Sequence, residues 1–344
     1  MKALVIHGAG DLRWEERPIP EAGPGEVLVR PRFIGICGSD LHYYFHGVNG
    51  EFVVREPLVP GHEMSAEVVE DPSGRIAPGT PVTVHPARFG PETPGRTIPR
   101  YLRPGGDYLG SAAPMPHRQG AACELLAVEA DMIRELPAGL PLRRAALAEP
   151  LGVALHGVRV AGDISGARVL VVGAGPIGLL TIASALDAGA KEVVATDLHA
   201  AALERARALG ATETMEVGTE DIPASSVDVV FECSGTAPGL TSALRAAAPA
   251  AVVVQVGILP AGPLSADLAP LVNKELQLRG TFRFDDEIDD AIRMLAADPR
   301  LDDVITHTVP ASEEARGFDI ARDAERSGKV LLELNPTDAT DVTS

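Results

Sequence analysis

Between Gly35 and Tyr44 the chain brings together a thiol (Cys37), a hydroxyl (Ser39), a carboxylate (Asp40), an imidazole (His42) and a phenol (Tyr43). An apolar run from Val27 to Ile36 leads into this stretch, so the thiol falls at the end of a strand. The glycines on either side of Cys37 suit a tight turn there. His62 and Glu63 follow Gly61 at the head of another apolar run. Sulfur, imidazole nitrogen and carboxylate oxygen are the mixed donors that a catalytic zinc takes, with one position left for water or substrate. Singly, a buried thiol and a satisfied histidine would explain Cys37 and His62; their combination argues for a metal. Glu149, ahead of Pro150, is a further oxygen donor, and the sequence does not rank Glu63 over Glu149.

A second constellation is Gly173-Ala174-Gly175-Pro176-Ile177-Gly178, which follows a strand-like run and opens a helix-like one. In that context Gly173 makes the turn, Gly175 lets the backbone approach a pyrophosphate and Gly178 lets helix pack on strand. The helix N-terminus then faces the phosphates. Asp197 ends the next strand, where a carboxylate accepts hydrogen bonds from adenosine ribose hydroxyls and repels a 2′-phosphate. NAD is therefore favoured over NADP.

Taken together, Gly-Ile-Cys-Gly-Ser-Asp-x-His from Gly35, Gly61-His62-Glu63, Glu149-Pro150 and the glycine-rich turn at Gly173 resemble the medium-chain zinc-dependent alcohol and polyol dehydrogenases. The resemblance covers essentially the whole chain. It implies an α/β protein with a GroES-like β-rich catalytic domain, residues 1–150 and 285–344, around an inserted Rossmann doubly wound parallel-sheet domain, residues 151–284. The tail 335–344 is expected to fray.

Carried over by resemblance, Cys37, His62 and Glu63 are zinc ligands, and Glu149 holds the zinc-bound water or exchanges into the ligand set. Asp40 orients a ligand imidazole. Ser39 takes the alcohol proton, which passes through the cofactor ribose to His42 and solvent. Tyr43 and Arg283 face the substrate, while Val256, Gly257, Ile258 and Phe282 line the nicotinamide side with Ile177 on the phosphate turn. Phe284 stands where sorbitol dehydrogenases have a tyrosine. The family's structural-zinc lobe carries four cysteines, and residues 85–120 contain none, so one catalytic zinc per chain and no structural zinc is expected. Polyol relatives are usually tetramers, which implies a homo-oligomer.

Within the family, the segments around Tyr44, Val254 to Gly257 and Lys274 to Phe284 are similar to those of L-idonate 5-dehydrogenases. The implied reaction is reversible oxidation of the C5 alcohol of L-idonate to 5-keto-D-gluconate. A sugar acid needs a cation, since a buried carboxylate is costly without a partner. Arg283 is the leading candidate, ahead of Arg55, Arg103 and Arg118, which read as solvated loop charges. A neutral polyol such as sorbitol or xylitol is the alternative substrate, and a catalytically silent NAD-binding protein the alternative function.

The bulk composition is compatible with this reading. The chain has 344 residues and a formal charge of −18, which opposes nucleic acid and anionic lipid as partners. No apolar run approaches the ~18 residues that span a bilayer, and the start of the chain is too short in apolar residues for a signal peptide. Three cysteines do not make a disulfide framework, so a reducing cytoplasm is expected.

Short β-rich runs should carry the first constellation: Ala3 to Ile6, Val27 to Ile36, Met64 to Val69, Pro81 to Val84 and Cys123 to Val128. The Pro-, Gly- and Arg-rich stretch from His85 to Gly120 reads as a long surface loop. Beyond Pro141 strands and helices alternate, which predicts a parallel sheet covered on both faces. Polar helices near residues 285–296 and 312–324 and strands at Val304 to Val309 and Val330 to Leu334 close the chain.

Overall fold

The computed structural model describes residues 1–219 and 222–335; of the tail expected to fray, 335–344, all but Asn335 lies outside the described residues. Two sheets organise the chain. One has seven strands, in the order Ile133–Glu135, Pro81–Val84, Glu63–Glu70, Glu26–Gly35, Lys329–Glu333 and Ile305–Pro310, with Leu126–Glu129 also paired to Glu26–Gly35. The C-terminal strands thus complete a sheet begun near the N-terminus. Its register places Gly35 opposite Glu63 on one side and opposite Leu331 on the other. That single ladder position brings Cys37, the His62-Glu63 pair and Lys329 to one end of the sheet.

The other sheet has six parallel strands, in the order Glu213–Glu216, Glu192–Asp197, Arg168–Val172, Val227–Glu232, Ala247–Gln255 and Gln277–Gly280. Numbered from its own first strand, this is 3-2-1-4-5-6, the Rossmann order, with its switch point between Arg168–Val172 and Val227–Glu232. The helices Ala148–Ala161, Pro176–Asp187 and Glu287–Ala297 share one hydrophobic core with it. Gly189 and Gly210, at φ of 86° and 106°, follow the helices that return to the second and third strands.

Two local readings of the sequence differ from the structure. The stretch after Cys37 is a helix, Gly38–His46, not a turn, and neither Gly35 nor Gly38 takes a positive φ. Asp40 at its third position reaches back to the Cys37 amide (3.0 Å), and Gly47 ends it at φ 70°. Gly35 is small for a different reason: an added Cβ would lie 2.0 Å from Glu63 Oε2.

Residues 85–120 are also not a simple surface loop. Ala87–Arg88 pairs with Asp107–Tyr108, and His85, Tyr108, Leu109, Ala112 and His117 are buried. Ion pairs hold the segment: Arg88 to Asp107 and to Glu129 (3.1 Å), Arg118 to Glu129 (2.7 Å), and Arg100 to Asp285 and Asp286. These contacts are long-range and leave no periodic trace in sequence.

Candidate active site

Cys37 caps the helix Gly38–His46, and Asp40 binds the amides of both Cys37 (3.0 Å) and Gly61 (3.2 Å). Asp40 is therefore a brace between two turns; its carboxylate oxygens go to backbone amides and not to the His62 ring. Cys37, His62 and Glu63 each offer a ligand atom, and these atoms lie within 4.8 Å of one another. The set is one thiol sulfur, one imidazole and one carboxylate, the donor mixture zinc accepts. His62 Nδ1 is buried without a hydrogen-bond partner. Burial works against the His62 imidazolium, yet Cys37, Asp40 and Glu149 around it outweigh that and push its pKa up to about 10. The convergent sulfur, nitrogen and oxygen donors and the unpartnered ring nitrogen of His62 fit a zinc ion.

Glu149 sits in the first turn of the helix Ala148–Ala161 and outside that tight triplet. Its carboxylate accepts a 2.6 Å hydrogen bond from Tyr108, and burial, reinforced by Glu63, raises its pKa. Glu63 is engaged elsewhere: Lys329 Nζ lies 2.7 Å from Oε1 and 2.6 Å from Oε2, with both side chains almost wholly buried.

Tyr108 connects the two halves of the site. Its ring meets the His62 ring edge-on at 5.5 Å, and the Arg283 guanidinium lies over it at 4.3 Å. Arg283 also stacks on the exposed ring of Phe282 (4.8 Å), and has no ion-pair or hydrogen-bond partner among the described residues. Burial lowers its pKa, offset in part by Tyr108, Glu149 and Tyr43 nearby. Tyr43 is buried at 2% exposure, and its hydroxyl accepts from the Ala112 amide (3.2 Å), so its ring packs more than it projects. Ser39 and His42 lie three residues apart on the same helix, which makes them neighbours on its surface, and His42 is exposed.

Neither Tyr108 nor Lys329 was singled out by sequence. A lysine heading the apolar strand Lys329-Val330-Leu331-Leu332 was a usable signal, because a cation buried there needs an anion. Tyr108 offered none.

On the Rossmann side, Gly173 has φ 92°, and an added Cβ on Gly178 would lie 1.9 Å from the Gly173 carbonyl oxygen. Gly175 instead faces open space, as expected where a ligand's phosphates approach the backbone. Ile177 is half-buried in the first turn of the following helix, and Asp197 closes the second strand. Asp197 accepts from the amides of Ala174 (2.7 Å) and His199 (3.0 Å). Val256 and Gly257 donate their amides to the Glu232 carbonyl; Gly257 packs so closely on Gly235 that a Cβ would lie 2.2 Å from its nitrogen, and Ile258 projects outward. The cradle fits a dinucleotide. Gly178→Ala is expected to weaken NAD binding at least about tenfold, measured by calorimetry, because the overpacked methyl must push the turn apart.

Residues 23–138 match the alcohol dehydrogenase GroES-like domain, and residues 176–297 match the zinc-binding dehydrogenase family. Sorbitol dehydrogenase of Gallus gallus is 34% identical over 98% of this chain and 97% of its own length. The chain belongs to the zinc-dependent medium-chain polyol dehydrogenases. Among solved structures, L-idonate 5-dehydrogenase of Escherichia coli superposes on this dehydrogenase with a TM-score of 0.91 at 29% identity, covering 97% of this chain and 98% of that one. A zinc-binding dehydrogenase of Sinorhizobium meliloti, bound to NADP, has a TM-score of 0.86 at 29% identity, covering 97% and 99%. No described helix of the dehydrogenase is long and apolar enough to cross a membrane.

Proposed function

We propose that the dehydrogenase oxidises a secondary alcohol of a sugar acid with NAD, L-idonate to 5-keto-D-gluconate being the best-supported reaction. The observation that carries the substrate class is Arg283, a half-buried guanidinium with no anionic partner among the described residues, stacked on the tyrosine that touches Glu149 and His62. A carboxylate or hydroxyl of the substrate would satisfy it. The likeness to the Escherichia coli idonate enzyme supports the same reading.

Cys37, His62 and Glu63 would hold one zinc ion per chain, with Glu149 as the alternative oxygen donor. The chemistry supplied there, once both groups are bound, is polarisation of the alcohol oxygen by zinc and hydride acceptance by NAD. Ser39 takes the alcohol proton, and His42, one turn further on an exposed face, returns it to solvent. Tyr108 holds the proton of its hydroxyl on Glu149 and closes the site beside His62. Asp197 favours NAD over NADP, as a carboxylate beside the ribose repels a 2′-phosphate. Residues 1–150 and 285–344 serve as the catalytic part and 151–284 as the cofactor part. We place the protein in the cytoplasm, in keeping with three free cysteines. The strand Gln277–Gly280 ends the parallel sheet, and Leu278 on it and Leu268 and Val272 just before it in the chain are exposed, which suits a homo-oligomer, a tetramer by family likeness.

A neutral polyol is the second reading, favoured by the identity to sorbitol dehydrogenase. Supplying zinc and NAD with L-idonate, D-gluconate, sorbitol and xylitol separates the two. NADH is expected to form fastest with L-idonate, with one zinc retained per chain. Turnover of sorbitol and xylitol without L-idonate would overturn the sugar-acid assignment.

A further inference from the structure

Arg283 has a φ of 55°, in the left-handed region that side chains with a Cβ rarely adopt. Such a conformation persists only where neighbours over-determine it. Two residues on, Asp285 is gripped at three points, two of them from the segment 85–120 and one from Glu287. Its amide donates to Glu287 Oε2 (2.6 Å), its carbonyl lies 2.7 Å from His85 Nε2, and its carboxylate is paired with Arg100.

The grip is directional. His85 Nδ1 accepts from the Ala87 amide (3.2 Å), so the ring proton is on Nε2 and donates to the Asp285 carbonyl. Glu287, at 1% exposure, is anchored through its other oxygen by His156 Nδ1 (2.7 Å) and Arg159 (3.1 Å). Between Arg283 and Asp285, the Phe284 ring is buried against His85 (4.8 Å) and over Gly152, where a Cβ would lie 3.4 Å away. His85 also heads the segment that carries Tyr108, the ring under the guanidinium. One segment therefore supplies both the backbone grip and the stacking surface.

We propose that His85 is a positioning residue for Arg283: by donating to the Asp285 carbonyl it holds the 283–285 backbone so that the guanidinium stays over Tyr108, facing the substrate. The substrate half of this statement rests on the reading of Arg283 given above; the backbone half does not. His85's hydrogen bonds and ring contacts go to Asp285, Ala87, Phe89 and Phe284, not to the metal triplet or the glycine turn.

His85→Phe keeps a ring against Phe284 and removes the donor; His85→Gln can restore an N–H. Labelling with phenylglyoxal, followed by peptide mass spectrometry, reports Arg283 directly and needs no turnover. In His85→Phe the Arg283 rate is expected to rise about fivefold, because the held conformation opens more often, with Arg143 unchanged, and to fall back in His85→Gln. An unchanged Arg283 rate in folded His85→Phe overturns the proposal. Should His85→Phe fail to fold, His85→Leu removes the donor with a smaller side chain, and no rise in Arg283 labelling there is equally fatal.

In turnover, the KM for the polyhydroxy substrate is expected to rise about tenfold in His85→Phe, the worth of one hydrogen bond to a charged group, while the KM for propan-2-ol stays put. Equal rises for both alcohols would show a general structural role and overturn it. If the wild-type protein oxidises no alcohol, the proposed function fails, and the labelling result still decides the clamp.

Discussion

His62→Ala is expected to yield a folded chain that retains no zinc through dialysis against a weak chelator and loses on the order of 10³-fold or more in turnover. The loss follows from what the metal contributes: Lewis-acid stabilisation of developing charge is worth several kcal/mol, and each 1.4 kcal/mol is a factor of ten in rate. The geometry leaves little room for rescue. Cys37, His62 and Glu63 are the one triplet among the described residues whose donor atoms converge within 4.8 Å, and Glu149, which accepts from Tyr108 at 2.6 Å, offers oxygen and cannot replace the imidazole nitrogen. Metal analysis, NADH formation and thermal unfolding would be measured together. A variant that keeps stoichiometric zinc and near-normal turnover would remove His62 from the site. NAD binding should be unchanged, since the glycine turn at Gly173 and Asp197 belong to the other sheet.

The parts of this molecule that are legible in sequence are those whose cause is local. The six parallel strands come from apolar runs alternating with helices, each pattern readable within a dozen residues, and Gly189 and Gly210 mark helix ends by the φ they adopt. The GxGxxG turn could be placed because strand and helix flank it. Elsewhere several elements are too short to show a period, among them Ala87–Arg88 and Asp107–Tyr108, which pair only with each other, and the three-residue strand Ile133–Glu135 of the seven-stranded sheet. For the helix Gly38–His46 the informative residues are Asp40, which caps its start, and Gly47, which ends it, and not the glycines around Cys37.

What sequence could not supply is pairing across distance. Tyr108 meets a carboxylate 41 residues away, and Lys329 meets one 266 residues away. Both are polar side chains whose burial is decided by the sheet register and the lobe packing, not by their neighbours in the chain. The ion pairs that fasten residues 85–120 have the same character. Arg100 reaches Asp285, and in doing so ties the cysteine-free lobe to the segment that carries Arg283.

Lys329→Met is expected to destabilise the metal-free protein by roughly 3–5 kcal/mol, the usual cost of leaving one member of a buried ion pair unpaired. Lys329 and Glu63 are 3% and 1% exposed, and both carboxylate oxygens lie within 2.7 Å of the ammonium. On the Gly35 side the carboxylate is hemmed in, since an added Cβ there would lie 2.0 Å from Oε2. Once Lys329 is gone, a dication at the Cys37, His62 and Glu63 triplet neutralises the stranded charge. By linkage, most of the stability lost without metal reappears as metal affinity, so zinc should bind about 100-fold more tightly than in the wild type. Urea unfolding with and without chelator, and competition for zinc against a chromophoric chelator, measure the two sides of that balance. Adding Glu63→Gln to Lys329→Met should recover much of the metal-free stability and cancel the gain in affinity, because no charge is then left unpaired. Weaker zinc binding in Lys329→Met would mean that the ammonium aims Glu63 at the metal and does not compete with it, and would reverse the assignment of Lys329 as the metal's rival for that carboxylate.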